Sequence, residues 1–187
     1  MYTCQGKFCV LEELSKKNEF KLHKLILENE IEYRTTISAE KVSSSFVCYQ
    51  SDLERWFLCG RNYQFLVNNR DGQIIGTMFF YGWDQEAREA KCSCFFIPNT
   101  RSKIVVIEAL CLFILFAQEI LHLRQVNFDV YEDNIWMQRL ATKIQAISLI
   151  KKPSFCDQGR LIISYFFTLD STSNLVHRYL SFFNRCH

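Results

Sequence analysis

FFIPNTRSKIVVIEALCLFILFAQEILHLRQVNFDVYEDN, residues Phe95 to Asn134, is the stretch from which the fold is read. It opens as a buried strand, passes through a polar loop carrying Arg101, Ser102 and Lys103, and continues as a helix over Ile104–Leu121. At the standard rise that helix is about 27 Å long. Its first turns are apolar nearly all round, which predicts burial on more than one side. A second strand, Val126–Tyr131, follows, with Val126, Phe128 and Val130 facing one way and Asn127, Asp129 and Tyr131 the other. Two strands joined through one helix run parallel, with the helix crossing over one face. The polar loop then lies at the helix N-terminus, where backbone N–H groups without a helical partner and the helix dipole attract anions.

Upstream, Lys7–Leu14 has the β-branched and aromatic content of a strand, and Ser15 reads as the N-cap of a helix running to Tyr33. Residues Arg34–Ser45 read as a polar loop, and Phe46–Leu58 as a second helix with Phe46, Tyr49, Leu53 and Phe57 on one stripe. Tyr63–Asn69 and Gln73–Trp83 form a hairpin across the two residues Asp71-Gly72. Gly76 inside its second strand marks a bulge or a close backbone approach. After a turn over Asp84–Glu89 comes the strand Ala90–Ile97, stopped by Pro98, which cannot donate to a ladder. Downstream, Asp133 or Asn134 caps a helix carrying Trp136, Leu140 and Ile144. Ala146–Ile150 and Arg160–Leu169 read as the last strands, and an apolar-faced tail helix begins at Ser171. The order is β-α-α-β-β-β-α-β-α-β-β plus the tail helix. It implies an α/β (α+β) domain on a mixed sheet of about seven strands. No repeat or linker divides residues 1–187, so one domain is expected.

Composition narrows the function. A net charge of +2 gives no basic excess with which to neutralise a phosphate backbone, so nucleic acid is not an expected partner. The 17 Phe imply a generous core or a pocket lined by rings. The longest apolar run, Ala109–Ala117, is bounded by Glu108 and Gln118 and is too short to span a bilayer. Nine scattered Cys, with no CxxC pair and no secretory pattern at the start of the chain, point to reduced thiols in a cytoplasmic protein. Cys92, Cys94, His122, Cys186 and His187 match no zinc spacing, and no metal is expected.

Three segments, in this order and spacing, resemble the GNAT acyltransferase superfamily. YQFLVNNRDGQIIGTMFF resembles its central hairpin, FFIPNTRSK its strand, Pro and basic loop, and FDVYEDN its L-x-V-x-x-x-N, with Val130 and Asn134 in the matching places. The likeness covers residues 6–169 and leaves 170–187 as a helical extension. It implies direct transfer of an acyl group, acetyl or longer, from acyl-CoA or an acyl-carrier protein to a primary amine of a small molecule or peptide. It also implies that the strands at 90–97 and 126–131 splay apart. The backbone of Phe95, Phe96 and Ile97 would then hold the pantetheine and the thioester carbonyl. The donor loop of the family, Arg/Gln-x-x-Gly-x-Gly/Ala, falls on Arg101, Ser102, Lys103, Ile104, Val105 and Val106. Both small positions are β-branched here, while the charge and donors for an anion are kept.

The Tyr that many members place seven residues after the Asn is Ala141 here, which leaves Tyr131 or Tyr165 to reprotonate the leaving thiolate. Glu89 is the candidate base for the acceptor amine. Glu32, Tyr33 and Asp84 are candidates on the acceptor side. The missing glycines favour a carrier-protein donor or a longer acyl chain. They also leave open a non-catalytic GNAT-fold domain that binds a ligand or partner. No membrane association is expected, and the tail helix is a possible homodimer contact.

Overall fold

The structure, a computed structural model, describes residues 2–37, 44–58, 62–100, 104–143, 147–153, 160–169 and 176. Among the described residues eight strands form one mixed sheet: β1 (Thr3–Gln5), β2 (Cys9–Glu13), β3 (Tyr63–Asn69), β4 (Ile74–Asp84), β5 (Glu89–Phe96), β6 (Gln125–Tyr131), β7 (Ile147–Pro153) and β8 (Leu161–Thr168). Their spatial order is β1-β2-β3-β4-β5-β6-β8-β7. The expected strands are all present, and β1 adds a short edge. Every neighbouring pair is antiparallel except β5 and β6, the two strands that flank the central helix α4 (Ile104–Glu119). No helix of the described residues is long and apolar enough to cross a membrane.

Helix α4 buries ten side chains, as its all-round apolarity requires. Phe113 stacks on Phe80 with centroids 3.8 Å apart, and Phe116 meets Phe65 edge-on at 4.8 Å. Helix α5 (Ile135–Lys143) joins this core through Trp136, Met137 and Ala141. The tail helix expected from Ser171 lies outside the described residues apart from Val176, which is buried in the same core. A second cluster covers the opposite sheet face. There Leu14, Leu66 and Phe95 meet Leu22, Leu25, Ile26, Tyr33 and Tyr49 from helices α1 (Glu19–Glu28), α2 (Glu30–Ile37) and α3 (Phe46–Leu58).

Three local readings are corrected. The first helix starts at Glu19 rather than after Ser15, because Asn18 is buried and its Oδ1 accepts from the Ser15 amide at 2.7 Å. It also breaks at Asn29, whose amide closes on Ile26 O while its Nδ2 donates to Leu25 O. A second helix then occupies the start of the expected loop, as far as Ile37. The β3–β4 loop has three residues, not two. Asn69 pairs with Gln73, the Gly72 amide donates to Asn69 O, and Gly72 takes φ 75°, the left-handed residue of a bulged turn.

Gly76 fulfils both of its readings. The register with β3 shifts beside it, and a Cβ there would run into the Phe95 carbonyl and the Phe96 ring across the β4–β5 pair. A contact with no local signature ties β2 to α4. The Glu108 carboxylate, 1% exposed, accepts backbone amides from Lys7 (2.6 Å), Phe8 (2.6 Å) and Cys9 (2.8 Å). Gly6 leaves the space into which that carboxylate fits.

Candidate functional site

Strands β5 and β6 stay in register for only three rungs: Glu89 with Gln125, Ala90 with Val126, and Lys91 with Asn127. Beyond Lys91 they part, while β5 keeps its pairing to β4 as far as Phe96. The sheet is therefore forked. On the α4 side, Met78, Cys94, Phe113, Phe128, Met137 and Ala141 line the gap, which holds a cavity of about 60 Å³. Asn134 adds a polar group to this lining; Ser93 and Asp129 also border the gap, but alternation turns their side chains to the other sheet face.

The candidate residues distribute around the fork in distinct ways. Phe95 and Phe96 are buried on opposite faces, Phe95 edge-on to Tyr33 at 5.3 Å and Phe96 to Trp136 at 6.5 Å. Their side chains belong to the two cores, so only backbone is offered to a ligand; Ile97 is half-buried, and its amide donates to Ile75 O. Arg101, Ser102 and Lys103 lie outside the described residues. Ile104 opens α4 partly exposed, whereas Val105 and Val106 are buried and anchor the first turn from below. Asn134 caps α5, its Oδ1 accepting from the Met137 amide at 3.2 Å, and also lines the cleft.

Glu89, Tyr131 and Tyr165 do not form one constellation. Glu89 sits on the closed rungs, where Asn127 Nδ2 donates to it at 3.4 Å. Tyr131 is buried beneath the Arg160 guanidinium, 3.6 Å from the ring centroid, and Arg160 also pairs with Asp133 at 2.5 Å. Tyr165 lies on the α4 face, stacked on Phe128 at 5.4 Å, and burial raises its phenol pKa. On the acceptor side Tyr33 is buried and its phenol is likewise raised by burial, while Glu32 is exposed on α2. Asp84 shapes its turn by accepting the Glu86 and Ala87 amides, each at 2.9 Å.

Four polar residues at the fork were not singled out by the sequence. Asp129 lies two positions beyond Asn127, the last β6 residue paired to β5, and accepts from Ser164 Oγ at 2.5 Å. Ser93 lies two positions beyond Lys91, the last β5 residue paired to β6, and hydrogen-bonds Tyr81 of β4. Burial first, and then Cys92 and Asp129, push the Tyr81 phenol up to about 12, against the Ser93 hydrogen bond. Alternation put Asp129 on the face opposite Val126, Phe128 and Val130, and that is all the sequence signals. Cys92 is held well above the ordinary thiol range by burial, which disfavours a thiolate nucleophile.

Ala141 explains why the Tyr of the resemblance is missing: it is fully buried against the cleft. Ala141→Tyr is expected to overpack this wall and to cost about 1–3 kcal/mol in denaturant titration. An unchanged midpoint would show that the wall yields.

Residues 30–146, more than half of the chain, match the family model described as an acetyltransferase (GNAT) domain. A solved structure described as a probable acetyltransferase matches at TM-score 0.76 and 19% identity, over 91% of this chain and 98% of its own. Spermidine N-acetyltransferase from Vibrio cholerae, in complex with CoA and spermine, matches at TM-score 0.76 and 14% identity, over 88% of this chain and 97% of its own. At such identities the likeness speaks for the fold. No curated protein sequence matches.

Proposed function

The chain belongs to the GNAT acetyltransferase family, and we propose that it transfers an acyl group from a pantetheine thioester directly to a primary amine. The observation that carries this reading is the end of the β5–β6 register at Lys91. A parallel sheet opened there presents a strand edge to the gap, and an extended ligand with amides of its own can add to that edge as a strand would. The pantetheine arm is such a ligand. Within the Phe95–Ile97 stretch, the backbone groups that point away from β4 would receive it, with the apolar wall of Met78, Phe113 and Met137 against its hydrocarbon. The amides that open α4 at Ile104, Val105 and Val106, with Arg101, Ser102 and Lys103 before them, would meet the donor's phosphates. Asn134 would flank the reacting end.

The family model and the two solved structures described as acetyltransferases support a short acyl group, acetyl above all, over a fatty chain. Acyl-CoA is accordingly the donor we favour, with an acyl-carrier protein as the alternative that shares its pantetheine. The polyamine named in the Vibrio cholerae structure supports a primary alkylamine as acceptor class.

The test combines binding and turnover. CoA at a hundred times its Kd is expected to stabilise the protein by about 2.7 kcal/mol in thermal melts. Acetyl-CoA is expected to release thiol only when an amine such as spermidine is present. Stabilisation without thiol release from acetyl-CoA, a medium-chain acyl-CoA or an acyl-carrier protein would instead identify a binding domain. Release that ignores the amine would identify a thioester hydrolase. No stabilisation at all would remove the donor site.

A further inference from the structure

We propose that Ser93, backed by Tyr81, hands a proton to the departing thiolate, the role for which Ala141 supplies no phenol. This rests on the acyl-transfer reading above and assigns the leaving-group half of the same site. Alternation along β5 sets the faces. Phe95 packs with Tyr33 in the cluster under helices α1 to α3, so Ser93, two positions earlier, turns to that same face. Tyr81 of β4 shares it, because Phe79 is the partner of Ser93 and Lys91 that of Tyr81. The two are diagonal neighbours across the β4–β5 pair, and their hydroxyls are hydrogen-bonded.

Register puts Ser93 at the end of the donor's path. In the acyl-transfer reading the pantetheine arm enters from the N-terminus of α4 and runs down β5 from Ile97. The Lys91–Asn127 rung closes the fork ahead of it. Ser93 is about 13 Å along β5 from Ile97 and two positions short of that rung. The reactive end of the arm therefore halts beside it.

Other hydroxyls are placed less well. Tyr165 is on β8, and β6 stands between it and the fork. Tyr131 is buried under the Arg160 guanidinium, about 13 Å up β6 from Asn127, at the wide mouth of the fork rather than its apex. Lys91 shares the face of Ser93 but belongs to the closed rung and is exposed to solvent.

The pair has the polarity that a proton relay needs. A phenol is a stronger acid than an alcohol, so Tyr81 donates to Ser93 Oγ and the Ser93 hydrogen is directed onward. Burial first, then Cys92 and Asp129, push the Tyr81 phenol up to about 12, so at physiological pH it stays a neutral donor.

The step balances as follows. The neutral amine attacks the thioester carbonyl carbon, and the C–N bond forms. As the C–S bond breaks, its electron pair goes to sulfur, the Ser93 proton moves to sulfur and the Tyr81 proton moves to Ser93. Tyr81 regains a proton from water, which takes in turn the one that the adduct nitrogen sheds. One thioester and one amine give one amide and one thiol, and both hydroxyls end as they began. An alcohol is a far weaker acid than a thiol, so Ser93 passes the proton on without standing as an alkoxide. A thiolate leaves readily by itself, which keeps the gain at the low end for a general acid.

Single-turnover thiol release from acetyl-CoA, with spermidine or hydroxylamine as acceptor, tests this. Ser93→Val and Ser93→Thr share one shape and differ only in the hydroxyl. The first is expected to lose about 100-fold in rate, and the second to stay within about fivefold of wild type. The loss is expected with both acceptors, because the departing thiolate is common to them, and both variants are expected to keep their stabilisation by CoA. Tyr81→Phe is expected to lose about tenfold, and adding it to Ser93→Val to cost nothing more, since the relay is already cut. Equal losses in the two Ser93 variants, or CoA stabilisation falling in step with turnover, would reduce Ser93 to a structural residue and overturn the proposal. So would a Ser93→Val rate within about threefold of wild type, or additive losses in the double variant. A loss confined to spermidine would move the hydroxyl to the acceptor and overturn it as well. A wild-type protein that releases no thiol from any acyl donor would remove the acyl-transfer reading and this assignment together.

Discussion

Glu108→Ala is expected to destabilise the domain by about 3–5 kcal/mol, enough to consume much of the margin of a protein this size. The carboxylate accepts three successive backbone amides, at Lys7, Phe8 and Cys9, inside a contact that is almost completely sealed from solvent. Alanine removes the acceptor for all three at once. Each amide left without a partner away from water costs about 1–3 kcal/mol, and the costs do not add fully because the hairpin can relax. Glu108→Gln is the informative companion. It keeps one oxygen but turns the other end into a donor that faces an N–H, so it is expected to cost about half as much. Urea titration followed by far-UV dichroism reads both. A Glu108→Ala midpoint within 1 kcal/mol of wild type would mean that water takes over the three amides.

Gly76→Val strikes at the strand that would hold the donor. Gly76 pairs with Phe96 across β4 and β5, and a Cβ there runs into the Phe95 carbonyl, a backbone atom that cannot swing aside. The strands must separate or β5 must slide. The expected stability loss is about 3 kcal/mol, with Gly76→Ala at about 1–2. The displaced residues are Phe95 to Ile97, so CoA stabilisation is expected to fall at least about tenfold in apparent affinity even where the variant stays folded. Paired melts with and without CoA separate the two effects. A Gly76→Val protein that binds CoA as wild type does would show that β5 presents its edge to the donor elsewhere along its length.

How far the sequence reaches depends on how local each cause is. The strand, helix and strand around residues 95–134 were legible because period and polarity change where the backbone does. Gly76 was legible because a glycine inside a β-branched run has few other reasons to be there. The break at Asn29 was not, since apolar residues continue at helical spacing on both sides, and only the Asn29 contacts to Leu25 and Ile26 reveal it. Ser15 and Asn18 are equally good caps by type. Burial of Asn18, which also donates to Glu12 and the Glu13 carbonyl, decides between them. Glu108 looked like the polar edge of an apolar run, because its partners lie about a hundred residues away.

The site divides in the same way. Asn134 could be found from a seven-residue pattern. Asp129 is tied to Ser164, 35 positions later, and stands where two strands stop pairing, neither of which a linear reading contains. Glu89, by contrast, was attractive in sequence because it opens a strand, and only the register shows that its end of the strand is closed.

The three rungs that join β5 to β6 carry one more consequence. They are the only strand-to-strand bridge, among the described residues, between a five-stranded half-sheet that begins the chain and a three-stranded one that completes it. The sheet thus has a seam, and the widest part of that seam is where a ligand would lie. Anything extended that bonds to both lips closes the molecule as a zipper does, and its departure unzips it. Occupancy of the fork and stiffness across the seam would then rise and fall together.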